Sequence, residues 1–428
     1  MAPEARIAGE PMDVVVIGAG AVGLCTAFEL TELGVYDVSV LERAQVASAS
    51  SGLSVGIIET QYLDPLAIEV RVQSMKLFRR LESEHGLPIT RNGYLRLGRT
   101  EADLDAFERS VEVQRELGVR DARVLDRDGL RRIVPDLECR DLAGGLLGPS
   151  DGYLDGHLYC NLLADLLRDR GVRVFRSTEL VEASVAPNGR HALVTPRTTL
   201  ECDVVVNAAG AWAGRVGELL GVPAQVLPQR HQALIAHLPQ ALDYLMPSVM
   251  DYIPASGELG LYFRHETASS LIAGLHTEEP LHDIVDPDDF GRSGEHDFMD
   301  AVAQRLAHRL PRLTGARLAG LWAGLYPLSP DGAPVVGPYR DGPNIVAAFG
   351  AGGSGLQSSP ALGRIAAEWI VYGECRTIPA AAQLVPDRPS LAYGDSSASR
   401  EAASTASQRK SSSMRAARST AASRPDQS

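Results

Sequence analysis

Short runs of consecutive apolar residues alternate along this chain with stretches in which apolar side chains recur every three to four positions. That is the pattern of buried strands followed by amphipathic helices. The run DVVVI predicts a strand over 13–17, a helix follows over 21–33 with Gly34 as its stop, and a second strand is predicted over 38–41. Residues 65–84 predict a helix with Leu66, Val70, Leu77 and Leu81 on one stripe and Gly86 at its end. A strand is predicted over 93–97 and helices over 101–117 and 126–133, the latter stopping before Pro135. An amphipathic helix over 158–168, closed by Gly171, leads into a strand over 172–175, and DVVVNAAGAW at 203–212 reads again as strand, glycine, helix. From about 226 to 317 the pattern changes to short β-like runs, such as 233–236 and 259–263, broken by Pro and Gly and followed by a helix over 297–310. NIVAAF from Asn344, then GAGGSG and a helix reaching Gly373, return to the order of strand, glycine, helix.

Composition narrows the chemistry. The net charge is −13, although the stretch 399–428 holds six Arg or Lys against Glu401 and Asp426, so the remainder is more acidic still. Such a body repels nucleic acid and anionic lipid, and no nucleic-acid partner is expected. The five cysteines, Cys25, Cys139, Cys160, Cys202 and Cys375, are scattered and form no CxxC pair, which argues against a zinc site or disulfide framework and suits a reducing compartment. The first residues carry no basic region followed by an apolar run, and the stretch 14–17 is too short to span a membrane, so a cytoplasmic location is expected. Only two lysines occur, Lys76 in a helical pattern and Lys410 in the tail, leaving any lysine-dependent mechanism one poor candidate. No GxSxG elbow is read, since the GLSVG at 52–56 falls in a small-residue loop and not between a strand and a helix; HExxH and metal-ligand spacings are absent, and Cys25 falls inside the first helix, where it reads as core.

The positive signal is Gly18-x-Gly20-x-x-Gly23, with Ala21 and Val22 between the last two glycines. It follows a predicted strand and opens a predicted helix, and Glu42 stands at the end of the next strand. Glycines there permit a tight turn, close approach of backbone to a pyrophosphate, and helix–strand packing; the acidic residue accepts from ribose hydroxyls. The loop ASASSGLSVG that follows, with Ser50, Ser51, Gly52, Ser54 and Gly56, suits a crossing close along a cofactor, a flexible surface loop being the other reading.

Five segments in order, the glycine turn, SSGLSVG, VVNAAGAWA, AGLYPLSPDGAPVVG and AFGAGGSGLQSSPALG, resemble the D-amino-acid-oxidase superfamily of flavoproteins, which includes glycine oxidase, sarcosine oxidase and dimethylglycine dehydrogenase. The likeness covers about 13–373. SSGLSVG, RNGYLRL at Arg91, LYFRHE at Leu261, the EHDF run at Glu295 and LWAGLYP at Leu321 are similar to the branch of FAD-dependent oxidoreductases implicated in mitochondrial complex I assembly.

The resemblance implies an α/β fold: a discontinuous Rossmann-type FAD-binding domain and an α+β substrate domain built on an antiparallel sheet. The expected parts are a flexible N-terminus at 1–11, FAD-binding parts at 12–90, 141–225 and 321–392, and substrate-domain parts at 91–140 and 226–320. The stretch 393–428 is poor in large apolar residues and is expected to be disordered.

Carried over by position, Gly18, Gly20, Gly23, Glu42 and Arg43 hold the ADP part, Ser50, Ser51, Ser54, Val55 and Gly56 line the pyrophosphate and flavin, and Val181 meets the adenine side by its backbone. Gly210 and Trp212 border the cofactor, and Gly352, Gly353, Ser354, Gly355, Leu356 and Gln357 face the flavin's pyrimidine end. The cysteine and histidine that fix FAD covalently in some relatives are missing: Gly324 stands at the cysteine position, and SSGLSVG holds no histidine. Non-covalent FAD is expected. The lysines of oxidases that react fast with dioxygen match Ile272 and Gln357, which favours a dehydrogenase passing electrons to an unidentified acceptor.

For substrate contacts, glycine oxidase has an arginine where Tyr326 stands, so Arg264, at the end of LYFR, is the remaining arginine for a carboxylate; a structural ion pair is its other reading. Tyr252, Tyr262 and Tyr326 are candidates for phenolic contacts, or for packing. His231 and His276 read as structural histidines, and Arg230 as packing beside the cofactor. The expected function is oxidation of the C–N bond of a small amine or N-alkyl amino acid by hydride transfer to FAD. A 2-hydroxy-acid dehydrogenase of the same fold, with His231 or His276 as base, and a non-catalytic assembly role stay open.

Overall fold

The structure, a computed structural model, describes residues 12–252, 259–276, 284–313 and 315–391. The stretch 393–428, expected to be disordered, and the N-terminal 1–11 lie outside the described residues. Two sheets carry the fold, both within one compact unit rather than in separable bodies. The first has six strands in the order Val335–Pro338, Ile345–Phe349, Val204–Asn207, Val14–Ile17, Val38–Leu41 and Arg173–Phe175; all pairings are parallel except that of the Val335–Pro338 edge.

The uninterrupted valines of these strands follow from burial on both faces. Val14 and Val16 point into the core shared with the helices Ala21–Glu32, Pro65–His85, Gly156–Asp169 and Gly355–Tyr372, whereas Val15 and Ile17 point into the opposite layer with Leu180, Leu193 and Val216. That layer contains a three-stranded antiparallel sheet, Glu182–Val185, His191–Val194 and Thr199–Cys202, and the helix Ala213–Leu220. Cys25 is core, as expected: its Sγ lies 2.8 Å from the Tyr159 hydroxyl, and burial pushes its thiol up to about 12.

The second sheet has eight strands, in the order Arg317–Leu328, Leu227–His237, Ser270–His276, Gly260–Thr267, Ser248–Asp251, Tyr94–Gly98, Gly144–Gly148 and Arg123–Asp126. Pairing is antiparallel except between Ser248–Asp251 and Tyr94–Gly98. One face buries Leu95, Val249, Phe263 and Ala273 against Val302 and Leu306 of the helix His296–Arg309. Two expected boundaries shift. Gly144–Gly148, assigned by sequence to the nucleotide-binding part 141–225, pairs with Tyr94–Gly98, and the strand Arg317–Leu328 carries 321–328 into the large sheet rather than the FAD-binding part 321–392. Strands of similar composition feed both sheets, and only pairing partners tell them apart. Among the described residues, no helix is long and apolar enough to cross a membrane.

Candidate active site

The first strand delivers Gly18 into a tight turn at φ +111°, where a Cβ would stand 2.5 Å from the Ala208 carbonyl oxygen. Gly23 lies one helical turn on, and a Cβ there would meet the Gly18 carbonyl oxygen at 2.0 Å, so the helix can sit this close to the strand only with glycine. Gly20 is the N-cap of the helix Ala21–Glu32 and makes no side-chain cap bond, which leaves the helix start directed at a cavity of about 310 Å³. The Glu42 carboxylate sits at the end of the second strand, accepting from the backbone N–H groups of Ala19 at 2.9 Å and Ala44 at 2.7 Å. It is thereby fixed on the cavity wall.

Gly18, Gly20, Ala21, Val22, Glu42, Arg43, Ser50, Ser51, Ser54, Val55, Gly210, Trp212, Gly352, Gly353, Gly355 and Leu356 all line this one cavity. The loop expected to cross close along a cofactor contains a short helix, Ser50–Leu53, pinned by the Ser51 hydroxyl, which accepts from the Ala21 N–H at 3.0 Å, and by the Ser50 hydroxyl, which donates to the Leu325 carbonyl at 2.7 Å.

Five expected cofactor residues lie off the wall. Gly23 and Gly56 act by packing, a Cβ at Gly56 meeting the Leu154 carbonyl oxygen at 1.8 Å. Val181 is a correction: its N–H is spent on the Val194 carbonyl at 2.9 Å, its side chain is exposed, and its neighbour Leu180 lines the cavity instead. Ser354 accepts from Arg71 at 2.8 Å, and Gln357 is held behind the wall, accepting from the Glu59 N–H and donating to the Tyr62 hydroxyl, both at 3.1 Å.

At the glycine-turn end, charge is concentrated. Asp288 accepts from the Trp212 indole N–H at 2.8 Å and from Arg43 at 2.6 Å and pairs with Arg215, while Arg43 stacks 4.6 Å over the Trp212 ring. Burial opposes the ionised form, but these donors outweigh it and hold Asp288 down to about 2. Arg215 and Asp288 went unrecognised in the sequence; Arg215 sits one turn beyond Trp212 and carried no spacing signal.

Elsewhere the wall is largely aromatic, with Arg292 also lining the cavity. Tyr262, Tyr326, His231 and Trp322 line it, with the His231 and Tyr326 rings stacked at 3.7 Å. Tyr326 lies across Gly353, where a Cβ would come within 2.3 Å of its ring, and Tyr262 lies across Gly274 in the same way. Burial, reinforced by His276, pushes His231 down to about 3, so it is uncharged at neutral pH; its buried Nε2 has no hydrogen-bond partner. Burial also raises both tyrosine hydroxyls, keeping them protonated. His231 therefore belongs to the site and not merely to the frame.

Three further expectations are corrected. Arg264 does not line the cavity: its Nε donates to the Val55 carbonyl at 2.6 Å, its Nη1 binds Glu266 at 2.5 Å, and the guanidinium lies 3.9 Å over the Tyr153 ring. It is the structural ion pair, committed before any substrate arrives. Tyr252 sits behind the wall, edge-on to His276 at 5.2 Å and packed with Tyr94 and Met250. Arg230 binds the crossing segment through the carbonyls of Gly291 and Ser293 and through Glu295, rather than lining the cavity. Among the described residues there is no cluster able to hold a metal.

A dinucleotide of the ADP type fits these features: backbone exposed at Gly20, a carboxylate at ribose position, and close packing that forbids side chains on the turn. The DAO model, described as FAD dependent oxidoreductase, matches residues 13–369. Dimethylglycine dehydrogenase of Rattus norvegicus is 26% identical over 380 residues, covering 85% of this chain and 43% of that protein, so the chain spans about two fifths of that relative. FAD-dependent oxidoreductase domain-containing protein 1 of Bos taurus is 29% identical over 417 residues, covering 86% of this chain and 83% of that protein. The crystal structure of L-proline dehydrogenase from P. horikoshii superposes with a TM-score of 0.77 at 25% identity, covering 88% of this chain and 97% of that one. With its glycine turn, its two sheets and most of its length matched, the chain belongs to the DAO family of FAD dependent oxidoreductases.

Proposed function

We propose that this flavoprotein oxidises the C–N bond of a small amine or N-alkyl amino acid, acting as a dehydrogenase on non-covalent FAD. FAD, when bound, supplies the two-electron chemistry by accepting hydride from the substrate carbon. The observation that carries the reading is the neutral aromatic compartment of Tyr262, Tyr326 and His231 at the end of the cavity away from Glu42. An amine gives up hydride only as the free base, and a wall of uncharged aromatic groups favours that form. The stacked pair and the ring over Gly353 fix the shape against which a substrate is oriented.

The hydroxy-acid reading needs a base to take the alcohol proton. Of the two candidates, His231, pushed to about 3, is a weak one, and His276 does not line the cavity, which weighs against that alternative. Gly324 on the cavity wall offers no thiol for a covalent link, so acid precipitation is expected to leave a colourless pellet and a yellow supernatant. The five free thiols suit a reducing compartment, the cytoplasm being the simplest.

The test is anaerobic bleaching of the visible flavin band by a panel of N-methyl amino acids, D-amino acids, L-proline and 2-hydroxy acids, followed by air. Bleaching by an amine, with slow recovery in air, is the expected result. Bleaching by hydroxy acids alone would contradict the proposal.

A further inference from the structure

Arg71 lies on the helix Pro65–His85 and is only 5% exposed, yet among the described residues no carboxylate stands within ion-pairing distance of it. Its Nη2 donates to the Ser354 hydroxyl at 2.8 Å, its Nη1 to the Ala67 carbonyl at 3.2 Å, and its buried Nε has no partner. The guanidinium lies 3.8 Å over the Tyr62 ring. Burying a cation without a counter-charge costs several kcal/mol, and a fold keeps one only where neighbouring dipoles or a bound group offset it.

Ser354 connects this charge to the cavity. It is the N-cap of the 18-residue helix Gly355–Tyr372, and its neighbours Gly353 and Gly355 are on the wall. The positive end of that helix and the Arg71 guanidinium thus converge on one glycine turn. The ADP features gather around Gly18 and Glu42, and Gly352, Gly353 and Gly355 line the same cavity, so this turn would hold the flavin part of a bound FAD. Reduction adds two electrons and one proton to the flavin and so leaves it one unit more negative. A fixed positive charge stabilises that form over the oxidised one.

We propose that Arg71 is a positioning residue that raises the reduction potential of the bound flavin, its charge aimed at the closing glycine turn by Ser354. Other charged groups share this side: Arg96 lies 5.7 Å from the same Tyr62 ring, and Glu59 is tied to Gln357 by its backbone N–H. Asp151 is pushed well up by burial and by Glu59. The inference rests on FAD as electron carrier and not on which substrate is oxidised.

The experiment is a redox titration of the holoprotein with reductant and indicator dyes, without substrate, on wild type, Arg71→Met, Arg71→Lys and Ser354→Ala. Arg71→Met is expected to lower the equilibrium constant for two-electron reduction about tenfold, or ~30 mV. Arg71→Lys is expected to stay within about threefold of wild type because it keeps the charge, with Ser354→Ala between the two. Equal shifts in the Met and Lys variants would assign the effect to packing and overturn the proposal, as would values within twofold of wild type in all three. Should Arg71→Met fail to fold around FAD, Ser354→Ala decides alone, an unchanged potential contradicting the account. Because no substrate enters the titration, a failure to find an oxidisable amine leaves this result readable, and an unchanged potential leaves amine oxidation standing.

Discussion

The two ends of the cavity are built on opposite principles. Around Gly18 and Glu42 the wall is backbone and charge: helix start, carboxylate, and Arg43 and Arg215 clamped by Asp288. Around Tyr326 and Gly353 it is aromatic, and His231, Tyr262 and Tyr326 are held neutral by burial. On the proposed function, the first arrangement would grip the charged part of the cofactor, and the second would shape a space for a small reactant. Holding the cofactor and selecting the substrate are thus separated along one cavity, and disturbing either end should leave the other's property largely intact.

The largest expected effect is at the turn itself. Gly23→Ala would put a methyl 2.0 Å from a backbone oxygen that cannot move without its strand, at a cost of about 3 kcal/mol. Chemical denaturation should show that loss, and the protein should purify with little yellow colour. Next is Glu42→Ala, which removes the carboxylate braced by the Ala19 and Ala44 N–H groups. Charge-assisted bonds contribute about 1.5–3 kcal/mol, so FAD titrated into apoprotein should bind roughly 10- to 100-fold more weakly. At the other end, Tyr326→Ala removes the stack on His231 and the ring over Gly353, and the anaerobic bleaching rate with the best amine should fall about tenfold.

The smallest effect is in acid. His231 moves from an ordinary 6.5 down to about 3 on folding, so the unfolded chain binds its proton first. Its share of stability is complete above about pH 6.5 and is lost as pH falls toward 3. His231→Gln should therefore lose stability less steeply than wild type over that window, measured by denaturant midpoints at stepped pH.

The same contrast explains what the sequence alone made legible. The glycine-turn end could be read because its requirements are local: glycines at fixed spacing, an acid one strand later, small residues in the next loop. The substrate end depends on which positions of the eight-stranded sheet face the cavity, and side-chain parity along a strand settles that only once pairing is known. Arg264 looked available at a strand end, yet pairing places it over Tyr153 and against Glu266. Val181 missed the wall by one residue, Leu180 standing in its place. His231 looked structural because nothing in the sequence placed it against Tyr326, although the two strands are neighbours in the same antiparallel pair. Arg71, Arg215 and Asp288 carried no motif at all.

The separation of the two ends is tested most directly by crossing the measurements: FAD affinity and the FAD-saturated anaerobic bleaching rate, both on Glu42→Ala and Tyr326→Ala. The account predicts that Glu42→Ala weakens FAD binding but bleaches within about threefold of wild type once saturated, while Tyr326→Ala retains FAD and bleaches slowly. If each variant loses both properties together, the cavity works as one indivisible site and the account is wrong.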